Sequence, residues 1–164
     1  MPKSPRKAKA VQPARVKTRR PSSLISLSLL ICERVLTEAD AVMSAVRIVD
    51  VFFVTRIPEL PPEKQAVPMQ ALLVCKFRHG DKEKHTMQLQ LERPDRTIQT
   101  IGDVVKDVVG SSRFPEAPGG FNIAVQAGII PKQLGTHYIV VLLDGVEVAR
   151  EPFTLLERKL AATN

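Results

Sequence analysis

The chain has 164 residues, enough for one folded domain with a hydrophobic core. Its net charge of +7 comes from the N-terminus, because residues 1–22 hold 8 of the 24 basic residues and no acidic residue, which leaves 16 basic and 17 acidic residues elsewhere. The composition therefore argues against a uniformly basic nucleic-acid-binding domain. No apolar run approaches the ~20 residues of a membrane span, so we expect a soluble protein.

Residues 1–22 also contain four prolines and no aromatic residue. A segment of this composition cannot bury enough apolar surface to offset the entropy of ordering, so we expect a disordered basic tail followed by a single domain over residues 23–164. The tail is either a flexible solubilising extension or a contact for nucleic acid or an anionic surface. Its cations are Lys3, Arg6, Lys7, Lys9, Arg15, Lys17, Arg19 and Arg20.

Residues 24–32 imitate a secretory signal peptide. They form an apolar stretch after the basic tail, and Ala39-Asp40-Ala41 is similar to a cleavage site. However, Glu33 and Arg34 interrupt the apolar region before that site. We therefore interpret the segment as a core strand and expect a cytoplasmic protein, with export as the alternative.

The first strand is predicted over Leu27–Leu36, with Leu30 among its buried side chains, and a turn follows over residues 37–40. A second strand is predicted over Met43–Val54, because apolar residues alternate on both of its faces. Asp50 is the one carboxylate in that run. We expect it at a strand end or bulge, where it can reach backbone N–H groups.

Four prolines and the lack of periodicity predict a surface connection over residues 56–68. The third strand is predicted over Met69–Arg78, with four inward side chains: Ala71, Leu73, Cys75 and Phe77. A polar loop over His79–His85 follows. Beyond it, Met87, Leu89 and Leu91 alternate with the polar residues Thr86, Gln88, Gln90 and Glu92. That alternation is typical of an antiparallel sheet with one buried face and one solvated face.

A fifth strand is predicted over Thr97–Ile101. Residues 101–110 fit a helix by spacing but favour a strand by their valines, and we prefer the strand. A sixth strand is marked by Phe121, Ile123 and Val125. The chain then closes with a β-hairpin, in which Asp144-Gly145 predicts a two-residue type I′ turn. Short strands separated by turns predict an all-β fold, an antiparallel two-sheet sandwich of immunoglobulin-like or similar type.

Residues that could carry chemistry are few. Cys32 and Cys75 lie in apolar runs, which predicts two buried free thiols of a reducing compartment. Cys75, His79, Asp81 and His85 lie close in sequence but do not match the spacing of a zinc site, so we interpret the histidines as exposed loop residues. We find no activated nucleophile and no phosphate-binding glycine loop. We therefore expect no enzyme, no metal and no cofactor.

Three segments together resemble an uncharacterised bacterial family of small β-sandwich proteins. They are Leu30–Leu36 (sequence LICERVL), Leu89–Arg96 (LQLERPDR), and the ending from Gly135-Thr136-His137-Tyr138 to Leu142-Leu143-Asp144-Gly145. The resemblance covers residues 28–156 and implies an immunoglobulin-like or similar sandwich. It implies no activity and no functional residues, and it supports a strand rather than a leader at residues 27–36. The basic tail departs from that family.

These observations favour a non-enzymatic binding or structural module that offers sheet faces and loops to a protein partner. One alternative is a nucleic-acid-associated protein tethered through the basic tail. Another is an exported or periplasmic adhesin-like domain. The residues do not specify an oligomeric state.

Overall fold

The computed structural model describes residues 22–39, 42–55, 60–61, 64–78, 82–110, 112 and 116–158. These residues form an all-β structure of nine strands. The strands are β1 Leu24–Thr37, β2 Met43–Ile48, β3 Val51–Val54, β4 Val67–Phe77, β5 His85–Glu92, β6 Ile98–Val108, β7 Gly120–Ile129, β8 Gly135–Leu143 and β9 Val146–Glu157. None of the described residues belongs to a helix that could cross a membrane.

The strands form two sheets that enclose one core, so the prediction of a two-sheet sandwich is confirmed. One sheet has the order β2-β1-β4-β7 and the other the order β3-β9-β8-β5-β6. Every neighbouring pair is antiparallel except β3 and β9, which run parallel. The parallel pair is possible because β3 follows β2 of the first sheet and is not joined to β9 by a hairpin.

The core lies between the inner faces of the two sheets. The four side chains predicted to point inward from β4 are all buried, as are Met87, Leu89 and Leu91 of β5. The five-stranded sheet contributes buried residues of β8 and β9, among them Ile139, Val141, Leu143, Phe153 and Leu155. Ile129 of β7 is buried in the same core, and four other β7 side chains are half-buried and pack against it: Phe121, Ile123, Val125 and Ala127.

The N-terminal strand is confirmed and lies inside the four-stranded sheet, between β2 and β4. Leu29 and Ile31 face the core and are buried. The prediction that Leu30 is a buried core residue is wrong, because Leu30 is half-buried and pairs with Leu72 on the outer face of the sheet. Glu33 and Arg34 are exposed, so the strand leaves the core where the first charges occur.

The predicted second strand is two strands in two different sheets. The ladder of β2 ends at Ile48, just after Arg47 adopts a left-handed conformation with φ 52°. The Val49 N–H still donates to Ile31 O in the first sheet, whereas Asp50 O accepts from Thr154 N–H in the second. The chain therefore crosses between the sheets at Val49 and Asp50, and Asp50 lies at a strand end as expected.

The far end of the β1–β2 hairpin bends toward the outer face of the four-stranded sheet. Gln70 Oε1 on that face accepts a hydrogen bond of 2.6 Å from Val35 N–H. Met43, near the hairpin tip, lines a cavity together with Val74 and Asn122. This bend explains why Cys32 and Leu72 are buried although they point away from the core between the sheets.

Residues 98–108 form one continuous strand, so the preference for a strand at the ambiguous segment is confirmed. The closing hairpin is also confirmed. Asp144 and Gly145 have φ values of 52° and 77°, the two left-handed residues that a type I′ turn requires.

Candidate functional site

The most exposed aromatic side chain among the described residues lies on the short edge strand β3. Phe52 points inward and packs edge-to-face on Phe153, with ring centroids 5.8 Å apart. Its neighbour Phe53 points outward and is 63% exposed. Successive residues of a strand face opposite sides, so burying Phe52 forces Phe53 into solvent.

Two leucines extend this exposed ring into a patch. Leu156 of β9 is the register partner of Phe53, so both side chains lie on the same face, and Leu156 is 43% exposed. Leu60 is also exposed and lines the same groove as Phe53. We call Phe53, Leu60 and Leu156 the Phe53 patch.

The groove beside the Phe53 patch has a volume of about 320 Å³. Among the described residues, its floor is apolar, with Val54, Val67 and Pro68, and Lys64 is the one ionisable side chain of the lining. An apolar floor with a polar rim is typical of surfaces that bind other proteins.

A larger cavity of about 670 Å³ lies under the bent β1–β2 hairpin. Its lining combines Met43, Val74 and Phe121 with the polar side chains of Lys76, Ser112 and Asn122. The cavity opens widely to solvent, whereas a typical small-molecule site buries most of its ligand.

The prediction that His85 is an exposed loop residue is wrong. His85 opens strand β5 and is 2% exposed, with its ring stacked on Phe77 at 5.0 Å. Its Nδ1–H donates to Asp144 Oδ2 at 2.7 Å, and the other oxygen of Asp144 accepts from Thr86 N–H at 2.8 Å. The carboxylate therefore clamps the closing turn to the start of β5.

The hydroxyl of Ser23 lies 3.4 Å from His85 Nε2, so serine, histidine and aspartate follow one another as in a nucleophilic triad. The buried imidazole is stacked on Phe77 and its aspartate also holds a backbone N–H, and both features immobilise the ring. A catalytic base must reach a substrate proton, which requires an accessible ring edge. The arrangement fits a clamp better than a reactive centre.

His137 is a second histidine of the core. It is fully buried, stacks on Phe153 at 5.3 Å, and donates from Nδ1–H to Gly135 O at 3.0 Å. Burial lowers the pKa of His137 below its ordinary value, so the ring is neutral at pH 7. Nε2 has no hydrogen-bond partner among the described residues, which a neutral ring tolerates because this nitrogen then carries only a lone pair.

Glu92 was predicted on a solvated face, but it is buried. Two arginines hold its carboxylate, Arg96 at 3.0 Å and Arg150 at 2.7 Å. Arg150 also donates twice to Glu147, and this pairing lowers the pKa of Glu147. The Arg150 guanidinium lies 5.2 Å from the ring centre of Tyr138. These contacts join Glu92, Arg96, Glu147 and Arg150 into a structural network on the five-stranded sheet.

Cys32 and Cys75 are buried free thiols, as the sequence predicts. Burial raises the pKa of Cys75 to about 12 and also raises that of Cys32. Thiols with such pKa values stay protonated at neutral pH and are poor nucleophiles and metal ligands. Across the described ranges, no three metal-binding side chains converge, while His79 and Asp81 of the sequence cluster lie outside those ranges.

The eight cations proposed to contact nucleic acid, from Lys3 to Arg20, also lie outside the described residues. The Phe53 patch is not apparent from the sequence. Phe52 and Phe53 both fit a core strand by alternation, and only the break at Asp50 shows that the strand is a short edge with one outward ring.

No family model matches the chain, and the comparison with curated proteins finds no match either. Two of the solved structures that match the chain come from Pseudomonas species. The Pseudomonas fluorescens alkylpurine DNA glycosylase AlkC, bound to DNA containing an abasic-site analogue, is 11% identical over 77% of this chain and 30% of its own, with a TM-score of 0.39. An immunoglobulin-like protein of Pseudomonas aeruginosa is 12% identical over 87% of this chain and 98% of its own, with a TM-score of 0.36. At these scores, neither neighbour indicates an activity for this chain.

Proposed function

We propose that this protein is a non-enzymatic binding module that holds a protein partner against the Phe53 patch. The observation that carries the proposal is the exposed ring of Phe53 beside Leu156. Burying a Phe side chain contributes about 1.5–3 kcal/mol, and aromatic residues are frequent among the few side chains that dominate binding energy. The immobilised histidines and protonated thiols support a role in binding over one in catalysis.

A photo-crosslinking experiment tests this function in the native host. A photoreactive phenylalanine derivative replaces Phe53 in one strain and Ile98 in another. Ile98 is 62% exposed on β6, at the far edge of the same sheet, and is therefore a control of matched exposure. We expect a discrete crosslinked species from position 53 and none from position 98. Equal crosslinking from both positions, or none from position 53, would contradict the proposal.

The second candidate is a nucleic-acid-associated protein tethered by its N-terminus. It rests on the concentration of eight cations without an acidic residue in residues 1–22. Binding by such a segment loses affinity with salt, with a slope of about −0.9 per neutralised phosphate. Titration of duplex DNA across a salt series, with the full chain and with residues 23–164, measures this slope. A shallow slope, or one that survives deletion of the segment, would exclude the tether.

A further inference from the structure

We propose that two copies of this chain associate through the open edges of their β7 strands, which pair antiparallel across a two-fold axis. The resulting sheet would be continuous through both copies, with β7 against β7 at its centre. This surface is separate from the Phe53 patch, so the inference goes beyond the proposed binding function. The two sheets have four outermost strands: β2 and β7 in one, β3 and β6 in the other.

Exposed sheet edges are templates for pairing, and proteins protect them by shortness, charges or bulges. Three of the four edges here carry such protection. β3 has four residues, and β2 has six with the left-handed Arg47. β6 is longer, but its pairing with β5 shifts register at two places. Gly102 and Asp107 of β6 also have left-handed φ values of 65° and 57°, so this edge is irregular.

β7 has none of these devices. Its ten residues, Gly120–Ile129, include no charged residue and no proline. They pair with β4 in unbroken register from Lys76↔Gly120 to Val67↔Ile129. No residue of β7 has a positive φ, so the strand is regular along its whole length.

The hydrogen-bonding phase of β7 shows which groups face outward. The Phe77 N–H donates to Gly119 O at 2.7 Å, which places the odd-numbered residues in the hydrogen-bonded pairs with β4. In an antiparallel ladder the alternate residues turn both backbone groups the other way. Asn122, Ala124 and Gln126 therefore direct their N–H and C=O groups to the open edge, and their side chains are exposed.

A second copy fits this edge in a register centred on Ala124. Ala124 then lies opposite Ala124 of the second copy, and Asn122 lies opposite Gln126. All of these residues are even-numbered and direct their backbone groups to the open edge. They form three pairs between the copies with two hydrogen bonds in each pair, about six in total. No like charges meet, because the strand has none. Opposed amide side chains can also hydrogen-bond to one another.

The inner side of the edge gives a second reason for pairing. A cavity of about 240 Å³ separates β7 from β6, and Ala127 and Ile101 are among its lining residues. Phe121, Ile123 and Val125 of β7 pack against the core yet stay half-buried. A partner strand at this edge would cover these side chains further, with Ile123 opposite Val125 of the other copy.

Paired charge variants test both the association and its register. Asn122→Glu with Gln126→Lys places opposite charges face to face between the copies, whereas Asn122→Glu with Gln126→Glu places like charges there. Both positions are exposed in the protomer, so at concentrations where the parent is monomeric both variants should have the parent's melting temperature. Sedimentation equilibrium of the full chain measures the average mass as a function of protein concentration. For the parent and the Glu/Lys variant this mass should rise with concentration from the protomer mass of 18.1 kDa toward twice that value. The Glu/Glu variant should associate at least tenfold more weakly.

Hydrogen exchange supplies an independent readout. The amides of Ala124 and Gln126 should exchange more slowly as the parent concentration rises, while the Glu/Glu variant should show no such change. A parent that remains a monomer at hundreds of micromolar would overturn the proposal. It would equally be overturned by a Glu/Glu variant that associates as strongly as the parent, because another surface would then hold the copies together.

Discussion

Replacing Asp144 by glycine should lower the free energy of unfolding by about 2–4 kcal/mol. Two hydrogen bonds of the carboxylate are lost, to His85 Nδ1–H and to Thr86 N–H. The larger part of this cost is the lost partner of the buried His85 imidazole, at about 1–3 kcal/mol. The bond to Thr86 N–H contributes about 1 kcal/mol more, since the Asp144 side chain is 41% exposed.

Glycine is the informative substitution because it removes the hydrogen bonds of the carboxylate without adding backbone strain. Asp144 has a φ of 52°, which glycine adopts without strain, whereas alanine should cost about 1 kcal/mol more. Asparagine keeps an acceptor and tolerates the conformation, so Asp144→Asn should cost about 1 kcal/mol. Urea unfolding at fixed pH with a common m value measures the series. An Asp144→Gly variant within 0.5 kcal/mol of the parent would refute the clamp.

Three further predictions address the core and the ladders. Leu29→Ala should cost about 2–5 kcal/mol in urea unfolding and Leu30→Ala clearly less, since only Leu29 faces the core; equal costs would contradict this placement of β1. Burial lowers the pKa of His137, so the unfolded state takes up a proton that the folded state does not, and stability should fall as pH drops below about 6.5. His137→Leu should flatten that slope in melting temperatures measured from pH 8 to 5, and an unchanged slope would assign it to other groups. Gly120→Ala should cost about 1–3 kcal/mol, because its Cβ would lie 2.5 Å from a carbonyl oxygen of β4, whereas Gly128→Ala meets only ordinary contacts and is the control.

Much of the architecture follows from period-two alternation in single segments. β4, β5 and the closing hairpin each alternate cleanly, and an Asp-Gly pair encodes its own turn geometry. The first strand is also predictable, since Glu33 and Arg34 interrupt the apparent leader. What these segments share is that the deciding information lies within a few residues of the chain.

The break between β2 and β3 is not encoded locally. Residues 46–54 are rich in valine and phenylalanine, which favours one long strand. The crossing at Asp50 depends on Thr154, about a hundred residues away along the chain. The exposure of Phe53 is a consequence of that crossing, so the candidate site could not be predicted without the pairing of β3 with β9.

The burial of His85 has the same origin. Its partner Asp144 is 59 residues further along the chain, and no motif links the two. Glu92 likewise lies in an alternating strand, but it is buried and its carboxylate accepts a hydrogen bond from Arg150, 58 residues away in the sequence. Polar residues whose burial depends on a distant partner look like surface residues in the sequence.

The proposed function is tested most directly by affinity capture from the native host with three matched proteins. These are the parent, Phe53→Lys and Ile98→Lys, where both substitutions place a lysine at an exposed apolar position on an edge strand of the same sheet. Equal melting temperatures confirm that all three are folded. We expect a specific protein to be recovered with the parent and with Ile98→Lys, and at least tenfold less of it with Phe53→Lys. Undiminished recovery with Phe53→Lys would contradict the proposed function.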